Sequence, residues 1–268
     1  FKNPFQKTAL LWDGDICPMG VAAQYMSPSF ELGEVPTSLY GNFGFLWLDE
    51  LGTFQNDPLM FVFQGGLKMD IIRDWDSVIH LGGAYYTTSH FQDNVNGPNY
   101  VGTAGTNTYN ANGTYKSNFD MIDVLLNYDS KRIFGFEIGH GLYSDFIWNT
   151  DSETDKDFAC MCGGYIGKKK PKKPGQWKAY GEYRYIERDA VPDFLPDSDF
   201  YGFMSSGTPE GGGTNGQGFV GGMKYAILKN TVLGMKYYYC TPISVDAGTS
   251  AQYDEPYQLL QMDIAVKF

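Results

Sequence analysis

Along most of the chain, apolar and polar residues alternate with a period of two between clusters of turn-forming residues, the pattern of strands that send successive side chains to opposite faces. The C-terminal segment shows it best. Leu260, Met262, Ile264, Val266 and Phe268 fall on one face, and Gln261, Asp263 and Lys267 fall on the other with Ala265. Residues 177–188 repeat it: Trp177, Ala179, Gly181, Tyr183 and Tyr185 oppose Lys178, Tyr180, Glu182, Arg184 and Arg188. Residues 232–240 set Leu233, Met235, Tyr237 and Tyr239 against Gly234, Lys236, Tyr238 and Cys240. Fainter copies lie at 19–27, 38–49, 59–70, 77–90, 118–128, 133–148, 157–167 and 218–228, with a strand end expected at Phe1–Phe5.

The predicted strands run mostly to about 9–15 residues. That is the length a tilted strand needs to cross a bilayer, whereas globular strands average nearer 5–6 residues. After the first connection, short turns ("IRDWD", "SKRI", "KKKPKKPG", "LKNT") alternate with long segments such as 91–117 and 189–217. An up-and-down barrel with one end of turns and one of loops requires this alternation, and a Greek-key sandwich does not. The pattern therefore predicts an all-β, antiparallel, up-and-down transmembrane barrel with about 11–12 strands in this chain, as a single domain over residues 1–268.

Composition agrees. The 268 residues include 20 Tyr, 19 Phe and 33 Gly, and only 19% are charged. No run approaches the roughly 18 apolar residues of a membrane helix, and alternation keeps mean hydropathy at −0.32. The net charge of −11 argues against a nucleic-acid partner, whose phosphates call for clustered Lys and Arg. Charge is also partitioned. Asp and Glu crowd the long loops (Asp151, Glu153, Asp155, Asp193, Asp197), and Lys131, Arg132, Lys168, Lys169, Lys170, Lys172, Lys173 and Lys229 occupy the short turns. Trp47, Trp75, Trp148, Trp177, Tyr85 and Tyr86 sit near strand ends, as amphipathic rings do at a membrane interface.

Alternation assigns an inward set: Lys68, Asp70, Asp123, Glu137, Lys178, Glu182, Arg184, Arg188, Lys224, Lys236, Asp263 and Lys267 as charged pore-lining residues, with Gln64, His80 and Gln261 beside them. Charges of both signs across a pore create a transverse field that admits polar solutes and small ions. Cys17, Cys160, Cys162 and Cys240 form no CxxC or Cys/His cluster, so no metal or cofactor is expected; free thiols are the leading expectation and a long-range disulfide, which spacing does not reveal, is the alternative. Ser89, His90 and Asp93 have the side chains of a hydrolase site but no spacing beyond proximity to support one, so no enzyme activity is expected. "DSETDKD" at 151–157 reads as a solvated loop, with a divalent cation bridging to lipopolysaccharide as the alternative; "GKKKPKKPG" reads as a solvated turn, with anionic lipid headgroups as the alternative.

Several segments together carry a resemblance: "FKNPF", "LLWDGDICPMGVAAQY", "FLWLDE", "GGLKMD", "LGGAYY", "GYIGKKKPKKPGQWKAYGEYRYIERDAVPDFLPDSDF", "GFVGGMKYAILKNTVLGMKYYY" and "LLQMDIAVKF". In these the chain resembles the bacterial putative-porin family of Gram-negative outer membranes. The resemblance implies a barrel of about sixteen strands, of which this chain would be the C-terminal two-thirds, with "FKNPF" ending an internal strand. The alternative is that Phe1–Phe5 completes a twelfth strand. Cys17 stands where the resemblance leads one to expect a small polar residue. The implied function is passive diffusion of small hydrophilic solutes or ions, with outer-membrane lipid and lipopolysaccharide as surroundings and the terminal aromatic Phe268 read by the barrel-insertion machinery. A homotrimer is kept open, although no residue pattern marks an interface. The competing expectation is a structural, non-conducting barrel that sheathes or anchors an envelope partner.

Overall fold

The structure is a computed structural model and describes residues 2–14, 16–48, 57–90, 92, 106–112, 114–205, 213–244 and 256–267. It is a single antiparallel sheet of twelve strands: β1 (Met19–Met26), β2 (Phe30–Leu32), β3 (Val35–Trp47), β4 (Leu59–Ile72), β5 (Ser77–Ser89), β6 (Met121–Ser130), β7 (His140–Asn149), β8 (Phe158–Gly167), β9 (Trp177–Ile186), β10 (Gly216–Leu228), β11 (Thr231–Pro242) and β12 (Tyr257–Val266). From β3 on, each strand pairs with its successor in sequence; β1 pairs with β3, and the short β2 folds back onto the start of β3. This is the up-and-down order that the connection lengths predict. Among the described residues no pairing joins β1 to β12. Among the described residues one α-helix, α1 (Ser198–Ser205), lies in the connection between β9 and β10.

Two expectations are corrected. Residues 2–5 are not a strand end; they belong to an extended segment that reaches β1 without joining the sheet. The strand expected at 133–148 begins only at His140, because "IFGF" makes a tight reversal. Phe134 and Gly135 take φ values of 48° and 84°, and Ile133 and Phe136 exchange backbone hydrogen bonds of 3.0 and 2.9 Å. Two consecutive left-handed residues are the requirement of a type I′ reversal, which Gly at the second position relieves.

The sheet is inside out relative to a soluble protein. Its outward rows are apolar and exposed: Phe43, Phe63, Leu81, Val124, Leu126, Leu142, Phe146, Phe219, Met235, Leu260, Met262 and Ile264. Its inner rows hold the buried polar groups Asn42, Gln64, Asp123, Asp145, Asn149 and Arg184. In water an apolar surface of this extent is unfavourable; against lipid it is the stable arrangement. Trp47 and Trp148 are exposed at the long-loop end, and Trp75 and Trp177 at the short-turn end, so aromatic side chains flank the apolar band on both sides. Tyr85 points outward with them, but Tyr86 does not: the next residue of a strand faces the other way, and Tyr86 is fully buried inside.

The inner wall is jointed by tyrosines lying over glycines. Tyr40 of β3, Gly66 of β4 and Gly82 of β5 stand in one row across the sheet. The Tyr40 hydroxyl lies where a Cβ on either glycine would go, at 2.6 Å for Gly66 and 2.1 Å for Gly82. On β7 and β8 the arrangement is reciprocal: Tyr143 faces Gly163 and Tyr165 faces Gly141. Any side chain at these glycines would displace a ring.

Candidate functional site

The interior differs between its two ends. At the long-loop end it is packed. The segment 5–13 crosses the inner face: Phe5 seats against Gly44, where a Cβ would come within 2.4 Å of the ring, and stacks on Trp12, whose ring lies 6.4 Å from that of Tyr86. Gln6 is clamped to β4 at two points, its N–H donating to Gln64 Oε1 and its carbonyl accepting from Gln64 Nε2, each at 2.8 Å. The Thr8 hydroxyl donates to Asp145 on β7. Leu10, Leu11 and Trp12 are buried against Leu46, Met60, Ile147 and Leu195 in one apolar cluster. Burial stabilises each of the two leucines by about 1.5–3 kcal/mol relative to exposure.

Loop residues complete this packing. Of the β5–β6 connection, 106–112 and 114–119 fold inward, burying Thr106, Asn107, Tyr115, Ser117 and Phe119. Asp189 and Asp193 of the β9–β10 connection hold them. Asp189 accepts from the Thr108 N–H and hydroxyl at 2.7 and 2.6 Å, and Asp193 accepts from the Asn107 N–H at 3.1 Å and the Tyr115 hydroxyl at 3.2 Å. Burial pushes the Asp193 carboxyl above the usual carboxylate range despite these donors, and burial likewise pushes the Tyr115 hydroxyl well up. For Asp197 burial acts the same way, but Arg184 and Lys236 outweigh it and hold the carboxyl below its usual value. The two acids therefore act oppositely on stability. A raised carboxyl favours the folded state at low pH, and that contribution is lost as pH rises through its folded value. A depressed one stabilises above the ordinary carboxylate value, and that is lost as pH falls through its folded value. Asp193→Asn is expected to remove the first dependence: hydrogen exchange of residues 106–119 should then vary less between acid and neutral pH than in the parent.

Arg184 is the centre of the charged wall and is 1% exposed. Its guanidinium donates to Glu182 from Nε at 2.8 Å and from Nη2, and to Asp197 from Nη1 at 2.9 Å. The Lys236 ammonium reaches the same Asp197 oxygen at 3.0 Å, the Tyr238 hydroxyl donates to it at 3.2 Å, and the Tyr143 hydroxyl donates to Glu182 at 2.6 Å. The Phe200 ring covers the guanidinium, 5.1 Å from ring centre to Cζ. A loop acid thus pins α1 and its connection onto β9 and β11. Sequence alternation places Glu182, Arg184 and Lys236 on one face; nothing in it reveals Asp197 as their partner, since loop side chains follow no period.

At the short-turn end the interior opens into a cavity of about 930 Å³, lined among others by Lys68, His80, Asp129, Tyr165, Lys168 and Lys169. Asp129 accepts from the Tyr165 hydroxyl at 2.6 Å and pairs with Lys169. The Lys178 ammonium lies between the Tyr165 and Tyr180 rings, 4.8 and 5.0 Å from their centres.

Nine of the residues expected to line the interior stand on inner rows: Lys68, Asp70, Asp123, Lys178, Glu182, Arg184, Lys224, Lys236 and Asp263. Three stand elsewhere. Glu137 is in the β6–β7 turn, 3.7 Å from Arg132, because the reversal at Phe134–Gly135 uses up the residues assigned to the strand. Arg188 lies beyond β9, which ends at Ile186 where Ala190 N–H turns back to the Glu187 carbonyl. Lys267 follows β12 and keeps one backbone bond, to Asn230.

Gln64, His80 and Gln261 face inward as expected; Gln64 and Gln261 are bonded to Gln6 and Asp199, and Gln6 lies 3.3 Å from the His80 ring nitrogen. Cys160 and Cys162 point outward on β8, Cys240 is buried on the inner side of β11, and Cys17 precedes β1. Ser89 ends β5 and His90 takes a φ of 63°; Asp93 and Phe268 lie outside the described residues. Asp151 accepts from Asn118, and among the described residues no three acids, histidines or cysteines are placed to share a metal ion.

An all-β sheet whose apolar side faces out and whose polar side faces in belongs in a membrane. No curated protein matches the chain. The model of the putative-porin family matches residues 89–268, about two thirds of the sequence, from the end of β5 through β12. The chain belongs to the putative-porin family.

Proposed function

We propose that this protein is an outer-membrane porin of a Gram-negative envelope, passing small hydrophilic solutes or ions by passive diffusion through the space its sheet encloses. The observation that carries this reading is the inner wall. Charged groups of both signs line it from β4 to β12, and a cavity of about 930 Å³ stands open at the short-turn end. Diffusion needs no bond chemistry, and the buried acids serve the packing of loops rather than a reaction. The test is single-channel conductance of the detergent-extracted protein in a planar bilayer under a KCl gradient. Steady ohmic openings are expected; silence from folded protein would overturn the reading.

One observation favours the alternative of a structural, non-conducting barrel: the segment 5–13 and the inward loop residues fill the long-loop half of the interior. The two readings separate at Gly44. Gly44→Val places side-chain atoms where the Phe5 ring sits and is expected to release the segment from the wall. In a porin the single-channel conductance should rise, with Trp12 emission moving to the red. In a sheath the emission shifts without any current.

A further inference from the structure

The chain is acidic overall, but the short-turn mouth is not. Around the cavity there, six lysines face three carboxylates. The carboxylates are engaged: Asp129 by Lys169, Asp76 by Lys131 at 3.2 Å, and Glu137 by Arg132. Lys68, Lys168, Lys170 and Lys172 line the same cavity and form no ion pair among the described residues.

A second, independent observation lies on the adjoining wall. Lys178 and Lys224 stand directly opposite each other on β9 and β10, both on the inner face. Like charges at directly opposed positions destabilise a sheet, and no acid pairs with either among the described residues. Across the interior Lys68 stands directly opposite His80 on β4 and β5. The Tyr165 and Tyr180 rings flanking Lys178 hold its ammonium at the wall instead of letting it swing away. The repulsion held between Lys178 and Lys224 is relieved by an anion near them, and Lys68 and the turn lysines line the cavity beside that wall.

We infer that the short-turn mouth is an oxyanion-binding vestibule, which collects small solutes bearing phosphate or several carboxylates before they pass the narrower interior. This deepens the porin reading and rests on it for the word "pass", but the binding itself does not require conduction. Lys68, Lys178 and Lys224 stand on the inner face of the sheet and Lys168, Lys170 and Lys172 on the exposed turn beside them, so the ligand is a soluble oxyanion drawn to the inner wall; membrane headgroups are the competing source.

Inorganic phosphate is the probe. In bilayers of the intact protein, phosphate added on the short-turn side should reduce chloride current at concentrations about tenfold lower than on the other side. In detergent, phosphate should bind by calorimetry, and Lys178→Gln/Lys224→Gln should weaken it about tenfold while heat-modifiability remains that of the parent. Binding without any current would sink the porin reading and leave the vestibule standing. Current with no phosphate binding, or equal binding in parent and variant, would overturn the vestibule. So would a result in which Lys168→Gln/Lys170→Gln/Lys172→Gln abolishes adhesion to phosphatidylglycerol vesicles while phosphate titrations show nothing, since the lysines would then be facing lipid.

Discussion

Arg184→Ala is expected to destabilise the folded protein by about 3–5 kcal/mol, the cost of leaving buried carboxylates without their partner. Glu182 and Asp197 both depend on the guanidinium, and after its loss Lys236 is the one cation left beside Asp197 among the described residues. Lys236 is partly exposed and cannot reach both acids in the geometry observed. Arg184→Lys should fall between parent and alanine: it restores the charge but not the planar fork that serves Glu182 and Asp197 at once. Arg184→Met combined with Glu182→Gln and Asp197→Asn should recover much of the loss, since a buried ion cluster replaced by neutral groups of like volume is often no less stable. The urea midpoint of the protein folded in lipid vesicles reads all three. A single alanine variant as stable as the parent would mean that the cluster is solvated and the loop not docked.

The second large effect comes from a position that looks harmless. Leu126 is exposed on β6, and in a soluble protein its replacement by arginine would cost little. On a lipid-facing row it should cost about 2–4 kcal/mol near the bilayer midplane. The internal control is one residue away. Asn127 faces the interior beside His80 and Tyr143, and Asn127→Arg should be tolerated, because the same charge meets water and polar groups there. A large penalty for Leu126→Arg with a small one for Asn127→Arg is the signature of a bilayer on the outer face. The reverse order would refute a membrane location.

The strands were readable because each carries its own signal: one face meets lipid and the other meets polar matter, so the contrast recurs every second residue. Their ends were readable to within a few residues, except where local turn chemistry intervened. The reversal at Phe134–Gly135 removed Glu137 from the wall, although "FG" flanked by apolar residues gave no stronger warning than its one glycine. Residues 91–117 are long enough to fold inward or to stay in solvent, and 106–112 and 114–117 fold inward; the packing of the segment 5–13 beneath them was not anticipated, yet a trace of it is present. Near that end the alternation weakens: "LMFVF" at 59–63 is apolar on both faces, and "MIDVLL" at 121–126 is so except for Asp123. Inner positions such as Met60, Val62 and Met121 would meet water in an empty pore, and their character signals an apolar cover. The cover is Leu10, Leu11 and Trp12, a run too short and too far away in sequence to be matched with them by pattern. The charged residues of the site were readable on strands and hidden in loops, which is why Arg184 was foreseen and Asp197 was not.

The tyrosine-over-glycine rows bear on how such a sheet finds its pairing. A strand that slides by two residues keeps its apolar face toward lipid, so hydrophobic matching alone leaves that error undetected. The row of Tyr40, Gly66 and Gly82 detects it. Slid by two, Tyr40 would meet Gln64 or Lys68 in place of Gly66, and the slot that receives its ring would be closed by a side chain. The reciprocal Tyr143–Gly163 and Tyr165–Gly141 pairs make the same test on β7 and β8 from both directions. Each ring is a key cut for one lock, and together they proofread alignment in a solvent where polarity by itself cannot.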